Sequence, residues 1–286
     1  MVRRPVGDHH HGDDTLLVAS DTDQAEPVGG RIGWTGQAGR AGQPERAGGS
    51  ERAGGSEQSE RLRDLVAGAR LVLWDFDGPV CRLFAGYSAD RVAAALVDWL
   101  EKAGLKELLP PEERDHPDPH VLLGAVHRSH PKDLVDEFEE RLTREELRAV
   151  PGARPTAYAD PLIRAWAALG VGLAITTNNS PRAVREYLAT RGLLGCFAPH
   201  IYGRTQDPHL LKPDPYCLDR ALDAMRVPPA KALMIGDSPA DVAAARKAGV
   251  PFLGYARNDR KAEQLRSAGA PVLVDSLEAV LGVVRR

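Results

Sequence analysis

Two aspartates one residue apart, Asp75 and Asp77, follow the apolar run Leu71-Val72-Leu73-Trp74 and stand just before a Gly78-Pro79 break. In an extended chain, side chains two positions apart point the same way, so both carboxylates can face one site. The apolar run is short and β-prone, as in a strand buried between two helical layers, and Gly78-Pro79 turns the chain over its end. Paired carboxylates at the C-terminal end of such a strand lie where open α/β sheets bind ligands. A lone Asp-x-Asp is equally readable as an acidic, solvated strand end, but three further groups, each just after a predicted strand, count against that.

The first group is Thr176-Thr177-Asn178-Asn179-Ser180, a hydroxyl- and amide-rich turn entering a helix. Hydroxyl and backbone N–H donors at a helix N-terminus suit a phosphate dianion, and an ordinary capping turn has the same composition. The second is Lys212, in a loop stiffened by Pro213 and Pro215. A fixed ammonium there can neutralise a phosphate and hold a nucleophilic carboxylate in place; a surface lysine is the plain alternative. The third is Gly236-Asp237-Ser238-Pro239-Ala240-Asp241. Gly236 ends a strand, Asp237 projects where a divalent cation needs an anionic oxygen, and Ser238 and Asp241 fall in a helix cap. Mg²⁺ is usually held by one or two carboxylates, waters and a substrate phosphate, so Asp75 and Asp237 would suffice.

These turns need a frame to bring them together. Leu62, Leu65 and Val66 predict a short helix starting near Ser59, ahead of the first strand. A long helical insertion follows, with Val92, Ala95, Leu96 and Trp99 at helical spacing, and then Leu134, Phe138, Leu142 and Leu147. From Ala157 helices and strands alternate: helix around 162–169, strand 171–175, helix after Ser180-Pro181, strand 200–202, helix 214–225, strand 232–235 and helix 239–248. Short strands at 252–253 and 272–274 and a final helix capped by Asp275-Ser276 complete the chain. The expected fold is α/β, a doubly wound parallel sheet with a helical cap domain and a disordered N-terminal tail. The expected boundaries are a tail over 1–58, core over 59–81, cap over 82–152 and core again over 153–286.

The tail is rich in Gly, Ser and charged residues and carries a tandem hexapeptide, Glu45–Ser50 and Glu51–Ser56, too polar to offset its ordering entropy. His9-His10-His11 among aspartates is either a weak transition-metal site or a solvated run. The charge balance, 37 basic against 40 acidic residues, gives no argument for a nucleic-acid or anionic-membrane partner. No apolar stretch approaches the roughly 20 residues of a membrane span, and none of signal-peptide length follows the N-terminus. Three scattered cysteines lack metal-ligand spacing, so reduced thiols and a cytoplasmic location are expected.

With Asp75-Phe76-Asp77-Gly78, Thr177-Asn178, Lys212-Pro213 and Gly236-Asp237-Ser238 plus Asp241 in this order, the chain resembles the haloacid dehalogenase-like hydrolase superfamily, the aspartate-nucleophile phosphatases, from about Arg70 onward. The resemblance implies a Rossmann-like core with a helical C1-type cap. By position, Asp75 would be the nucleophile that forms an aspartyl-phosphate, and Asp77 the general acid and then base. Thr177, Asn178 and Lys212 would bind the phosphoryl oxygens, with Thr176 a rival for Thr177 because strand-end register is uncertain. Asp75, Asp77 through its backbone carbonyl, and Asp237 would hold Mg²⁺, with Asp241 orienting them. Two residues depart from the family's pattern: Pro79 stands where Thr is frequent, and Arg82 where Asp is frequent. The implied function is a Mg²⁺-dependent phosphatase acting on a small phosphorylated metabolite, such as a phosphoglycolate-like compound or a sugar phosphate. A phosphomutase of the same superfamily and a catalytically silent binding module are the competing readings. A metal-free dehalogenase would use Asp75 without needing Asp77 or Asp237. Arg91, His127, Arg128 and His130 are the insertion's polar candidates for substrate contact.

Overall fold

The computed structural model describes residues 50–105, 109–116, 118–129 and 132–286. The expected tail lies outside these residues, together with the His9–His11 run, except at its end. There helix α1 (Ser50–Gly68) begins, ahead of the Ser59 start read from the sequence. The chain continues through β1 (Leu71–Trp74), β2 (Cys81–Arg82) and four insertion helices, α2 (Ala89–Lys102), α3 (Pro111–Arg114), α4 (Pro119–Ser129) and α5 (Lys132–Ala149). It returns by β3 (Arg154–Pro155), α6 (Ala159–Ala168), β4 (Gly172–Thr176), α7 (Pro181–Thr190), α8 (Leu194–Phe197) and β5 (Ile201–Tyr202). The last third is α9 (Tyr216–Met225), β6 (Ala232–Gly236), α10 (Pro239–Ala248), β7 (Phe252–Tyr255), α11 (Asp259–Ser267), β8 (Leu273–Val274) and α12 (Leu277–Val284).

Six strands form one parallel sheet in the order β5-β4-β1-β6-β7-β8. The chain builds outward from β1 through β4 to β5, then crosses back to lay β6 on the other side of β1. The order therefore reverses at β1, and the strand ends flanking a reversal open a crevice for ligands. Alternation along β1 explains why all four of its residues are buried. Val72 and Trp74 pack with Leu162 and Trp166 of α6 and Val280 of α12, whereas Leu71 and Leu73 pack with Leu218 of α9 and Ala245 of α10. Trp74 and Trp166 meet edge to face with ring centroids 5.8 Å apart.

The insertion has its own apolar cluster, including Val92, Leu96, Leu100, Leu122, Val126, Val135, Phe138 and Leu142. Its stripe departs from the one read in the sequence: Ala95 is exposed, Trp99 is half-buried and Leu100 is buried in its place. In α5 the stripe runs Val135, Phe138 and Leu142, and then becomes polar at Thr143 and Glu146, which are also buried. No strand signal is readable where the insertion leaves and rejoins the sheet. There two-residue strands β2 and β3 pair antiparallel, Cys81 with Pro155 and Arg82 with Arg154. Among the described residues no helix is long and apolar enough to cross a membrane.

Because Trp166 is 2 % exposed and fills the space against Trp74, Trp166→Ala should lower the unfolding free energy by roughly 3–5 kcal/mol. Urea denaturation would read this as a lower midpoint with an unchanged slope.

Candidate active site

A cavity of about 730 Å³ opens at the C-terminal ends of β1, β4 and β6. The four sequence-predicted turns all reach it, through Asp75, Asp77, Thr177, Asn178, Lys212 and Asp237. The join at its floor is Lys212. Its buried Nζ donates to Asp75 Oδ1 at 2.8 Å, to the Thr176 carbonyl at 2.9 Å and to Asp241 Oδ1 at 2.5 Å. Burial alone would depress this ammonium's pKa, but Asp241 and Asp75 hold it well above the ordinary lysine value.

The turn after β1 is tight. Gly78 N–H donates to the Cys81 carbonyl at 2.6 Å, and Gly78 has φ +124°, a conformation that a residue with a Cβ rarely adopts. A Cβ there would also lie 2.5 Å from Asp237 Cγ, so the turn and the Asp237 carboxylate are in direct contact. Asp77 is oriented by the Leu83 N–H, which donates to its Oδ1 at 2.8 Å.

Thr176 and Thr177 separate cleanly. Thr176 continues the alternation of β4 inward, with its hydroxyl on Met234 Sδ at 3.4 Å, whereas Thr177 lines the cavity. The Thr177 hydroxyl donates to Asn179 Oδ1 at 3.0 Å and accepts the Asn179 N–H at 3.1 Å. Asn178, read from the sequence as a phosphate ligand, has its side chain turned to another task. Its Oδ1 accepts the Lys212 N–H at 2.8 Å and its Nδ2 donates to the Lys212 carbonyl at 3.1 Å, so it clamps the lysine's main chain.

Asp241 is fully buried in the first turn of α10. Its Oδ2 accepts from Ser238 N–H, Ser238 hydroxyl and Asp237 N–H, leaving Oδ1 for Lys212. Asp75, Asp237 and Asp241 each offer a carboxylate oxygen within 4.8 Å of the others. Asp77 is not among the residues of that cluster.

The electrostatics are those of an over-acidic pocket. Burial and the neighbouring Asp241 and Asp237 carboxylates push Asp75 up to about 7 against the pull of Lys212. Burial and Asp237 likewise push Asp77 up to about 6, against the Leu83 hydrogen bond. Burial raises Asp237 as well, opposed chiefly by Lys261. Four carboxylates thus share two ammonium groups, and the donor set (hard anionic oxygens short of positive charge) fits a small divalent cation.

Two parts of the site escaped the sequence reading. Lys261, in α11, donates to the Asp237 carbonyl at 3.0 Å and lies 2.8 Å from its Oδ2. Helix α11 was not predicted; its only signals are Asn258, which caps it by accepting the Lys261 N–H, and the Ala262/Leu265 spacing. On the insertion side the cavity is lined by Asp118 and His120, together with Phe84, Ala85 and Ala89. Arg91, His127 and Arg128 do not line it, and His130 lies outside the described residues. Arg82 and Arg257 line the cavity with exposed side chains and have no ion-pair partner among the described residues.

A family model described as haloacid dehalogenase-like hydrolase matches residues 69–249. A phosphoglycolate phosphatase of Rhodospirillum rubrum is 37% identical over 133 residues, which is 45% of this chain and 52% of that protein. The chain thus spans about half the length of this relative. A phosphoglycolate phosphatase of Aquifex aeolicus is 28% identical over 63% of this chain and 81% of its own length. Among solved structures, a predicted phosphatase from Clostridium acetobutylicum superposes with a TM-score of 0.58 at 18% identity, over 75% of this chain and 97% of that one, a likeness of fold.

The raised carboxylates set a sign for stability. A group whose folded pKa lies above its unfolded value stabilises the fold below the unfolded value and loses that contribution as pH rises through the folded one. Chelator-treated protein should therefore lose thermal stability between about pH 4 and pH 7 as Asp75 ionises. Asp75→Asn, neutral throughout, should flatten that slope in thermal melts recorded across the range. An equal slope in both proteins would contradict the assignment.

Proposed function

The chain belongs to the haloacid dehalogenase-like hydrolase family, and from that premise we propose that it is a Mg²⁺-dependent phosphatase acting on a small phosphate monoester through an aspartyl-phosphate on Asp75. The observation that carries this reading is the meeting of Asp75, Asp77, Thr177 and Lys212 on one cavity, with Asp75 held by the lysine ammonium. Asp75 and Asp237, with the Asp77 carbonyl, would hold Mg²⁺. When bound, the cation screens an anionic nucleophile from an anionic ester.

This chain's own residues then divide the chemistry. A carboxylate oxygen of Asp75 forms a bond to phosphorus while the bond from phosphorus to the ester oxygen breaks. Asp77, with a pKa near 6, is protonated in a useful fraction of molecules and gives its proton to the departing oxygen. In the second half Asp77, now a carboxylate, takes a proton from the water that attacks the aspartyl-phosphate, and inorganic phosphate and free Asp75 result. Lys212 and the Thr177 turn neutralise and orient the phosphoryl oxygens throughout. The insertion roofs the cavity and limits the ester to what fits beneath it.

For the ester itself, two observations favour a short anionic leaving group. The Rhodospirillum and Aquifex relatives are phosphoglycolate phosphatases, and Arg82 and Arg257 bring unpaired positive charge to the cavity. Phosphoglycolate is the first compound to test, in a cytoplasmic setting.

Wild-type protein should release inorganic phosphate from p-nitrophenyl phosphate only with Mg²⁺ present. Asp75→Asn should abolish the release, and Asp77→Asn should lower kcat by about 10²–10⁴. Turnover by Asp75→Asn that persists after contaminants and deamidation are excluded would overturn the mechanism. Arg82→Ala should raise KM for phosphoglycolate by about tenfold, the loss of one charge-assisted contact, and leave that for p-nitrophenyl phosphate nearly unchanged. Equal shifts for both esters would remove Arg82 from substrate recognition.

A further inference from the structure

Bonded to the 177–180 turn from the insertion side is a second set of buried charges. Arg204, two residues past β5, has a side chain with no solvent exposure, yet every one of its five guanidinium N–H donors has a partner. Two go to Glu146, to Oε1 at 2.9 Å and Oε2 at 3.0 Å. One reaches Glu139 at 3.1 Å and one the Thr143 hydroxyl at 2.9 Å, all three acceptor residues being on α5 of the insertion. The fifth donates to the Asn178 carbonyl at 3.0 Å, in the phosphate turn itself.

Glu146 grips the same turn from the insertion. Its Oε1 also accepts from Asn179 Nδ2 at 3.0 Å, and its Oε2 accepts the Ser180 N–H at 2.9 Å. The Arg204 N–H donates to the Asn179 carbonyl at 3.0 Å, so the main chain of residues 178–180 is held by three bonds from this pair. The next link is already described: Asn178 clamps the main chain of Lys212, whose ammonium holds Asp75. An unbroken run of hydrogen bonds thus leads from α5 to the proposed nucleophile. His120 of α4 closes the set, with Nδ1 on Asp118 at 3.1 Å and Nε2 3.7 Å from Glu146 Oε1.

A buried ion pair is a poor device for stability alone, since apolar residues of similar volume often serve as well or better. What an apolar pair cannot do is bond a main-chain N–H and a main-chain carbonyl in fixed directions. We infer that Arg204 and Glu146 are positioning residues for phosphate, setting the 177–180 turn, and through Asn178 the Lys212 ammonium, from the insertion side. This rests on the reading that the phosphoryl group sits between Thr177 and Lys212. Arg204's charge supports the pair: burial would raise the Glu146 pKa, but Arg204, helped by His120, holds it down at about 2, so the carboxylate stays ionised.

The test is the affinity for inorganic phosphate in Mg²⁺ buffer, measured by titration calorimetry, alongside the melting temperature. Arg204→Met and Glu146→Leu singly should lower both. The double variant, an apolar pair, should regain melting temperature while binding phosphate about tenfold or more weakly than wild type. Arg204→Lys keeps the charge but not the fork, and should bind phosphate about tenfold more weakly with little change in melting. Arg204→Lys combined with Asn178→Ala should be no weaker than Asn178→Ala alone, because both act through one turn. Wild-type phosphate affinity in a folded double variant, or in Arg204→Lys, would reduce the pair to packing and overturn the inference. So would a wild-type protein that binds no phosphate. Phosphate binding without turnover of any phosphate ester would instead sink the proposed function and leave this inference standing.

Discussion

Much of this molecule is arranged around one buried ammonium. Lys212 Nζ is bonded by oxygens from three separate strand ends: Asp75 after β1, the Thr176 carbonyl at the end of β4, and Asp241 in the helix that follows β6. A buried charge without partners is too costly to persist, and so is each buried carboxylate without the lysine. The lysine and the two carboxylates therefore stabilise one another. That mutual dependence fixes the order in which the sheet must be built. The three strands have to lie side by side with their ends level, which the parallel registers of β1 with β4 and β6 provide.

The same constraint explains why glycine stands beside the acidic groups. Asp241 divides its two oxygens between the α10 cap and Lys212, and it does so pressed against the chain before it. A Cβ at Gly236 would lie 2.5 Å from Asp241 Cβ, as one at Gly78 would lie 2.5 Å from Asp237 Cγ. Carboxylates that must stay within a few ångströms of one another leave no room for side chains on the turns that carry them. Burial, and after it their crowding, raises the proton affinity of Asp75 and Asp77, and that cost in ionisation is also what would make an acid usable near neutral pH.

How much of this was legible follows from which forces are local. The strands could be read because β1, β4 and β6 are continuous apolar runs that stop at Asp75, Thr176 and Gly236, and a polar residue or glycine after such a run marks a strand end from sequence alone. The motifs at those ends then fell on one cavity by topology. Thr176 and Thr177 could not be separated without the register, because a one-residue slip exchanges the inward face for the cavity face. Helix α11 was hidden because its charged sequence has little apolar stripe, and Lys261 was hidden with it. Arg204 and Glu146 were the least accessible of all. They stand 58 positions apart, and only the packed insertion makes them neighbours. Strands β2 and β3 pair Cys81-Arg82 with Arg154-Pro155 and carry no apolar run, so unlike the equally short β5 and β8 they left no trace in the sequence.

That last pairing bears on how the insertion is joined to the sheet. Its own interior is apolar, built from residues such as Leu96, Leu122, Val126 and Phe138. Where it meets the phosphate turn, however, α5 changes character from Leu142 to Thr143 and Glu146, and the bonds across the seam are ionic and directional. An apolar seam would favour contact in many registers, since burial is roughly proportional to area and indifferent to direction. A bidentate Arg204–Glu146 pair with main-chain partners in the turn and side-chain partners on α5 is satisfied in a single register only. Any slip of α5 leaves buried donors unmet, and each unmet donor costs more than its bond contributes. The insertion is thereby indexed to the turn to within the tolerance of a hydrogen bond, the precision that the proposed phosphoryl site would require.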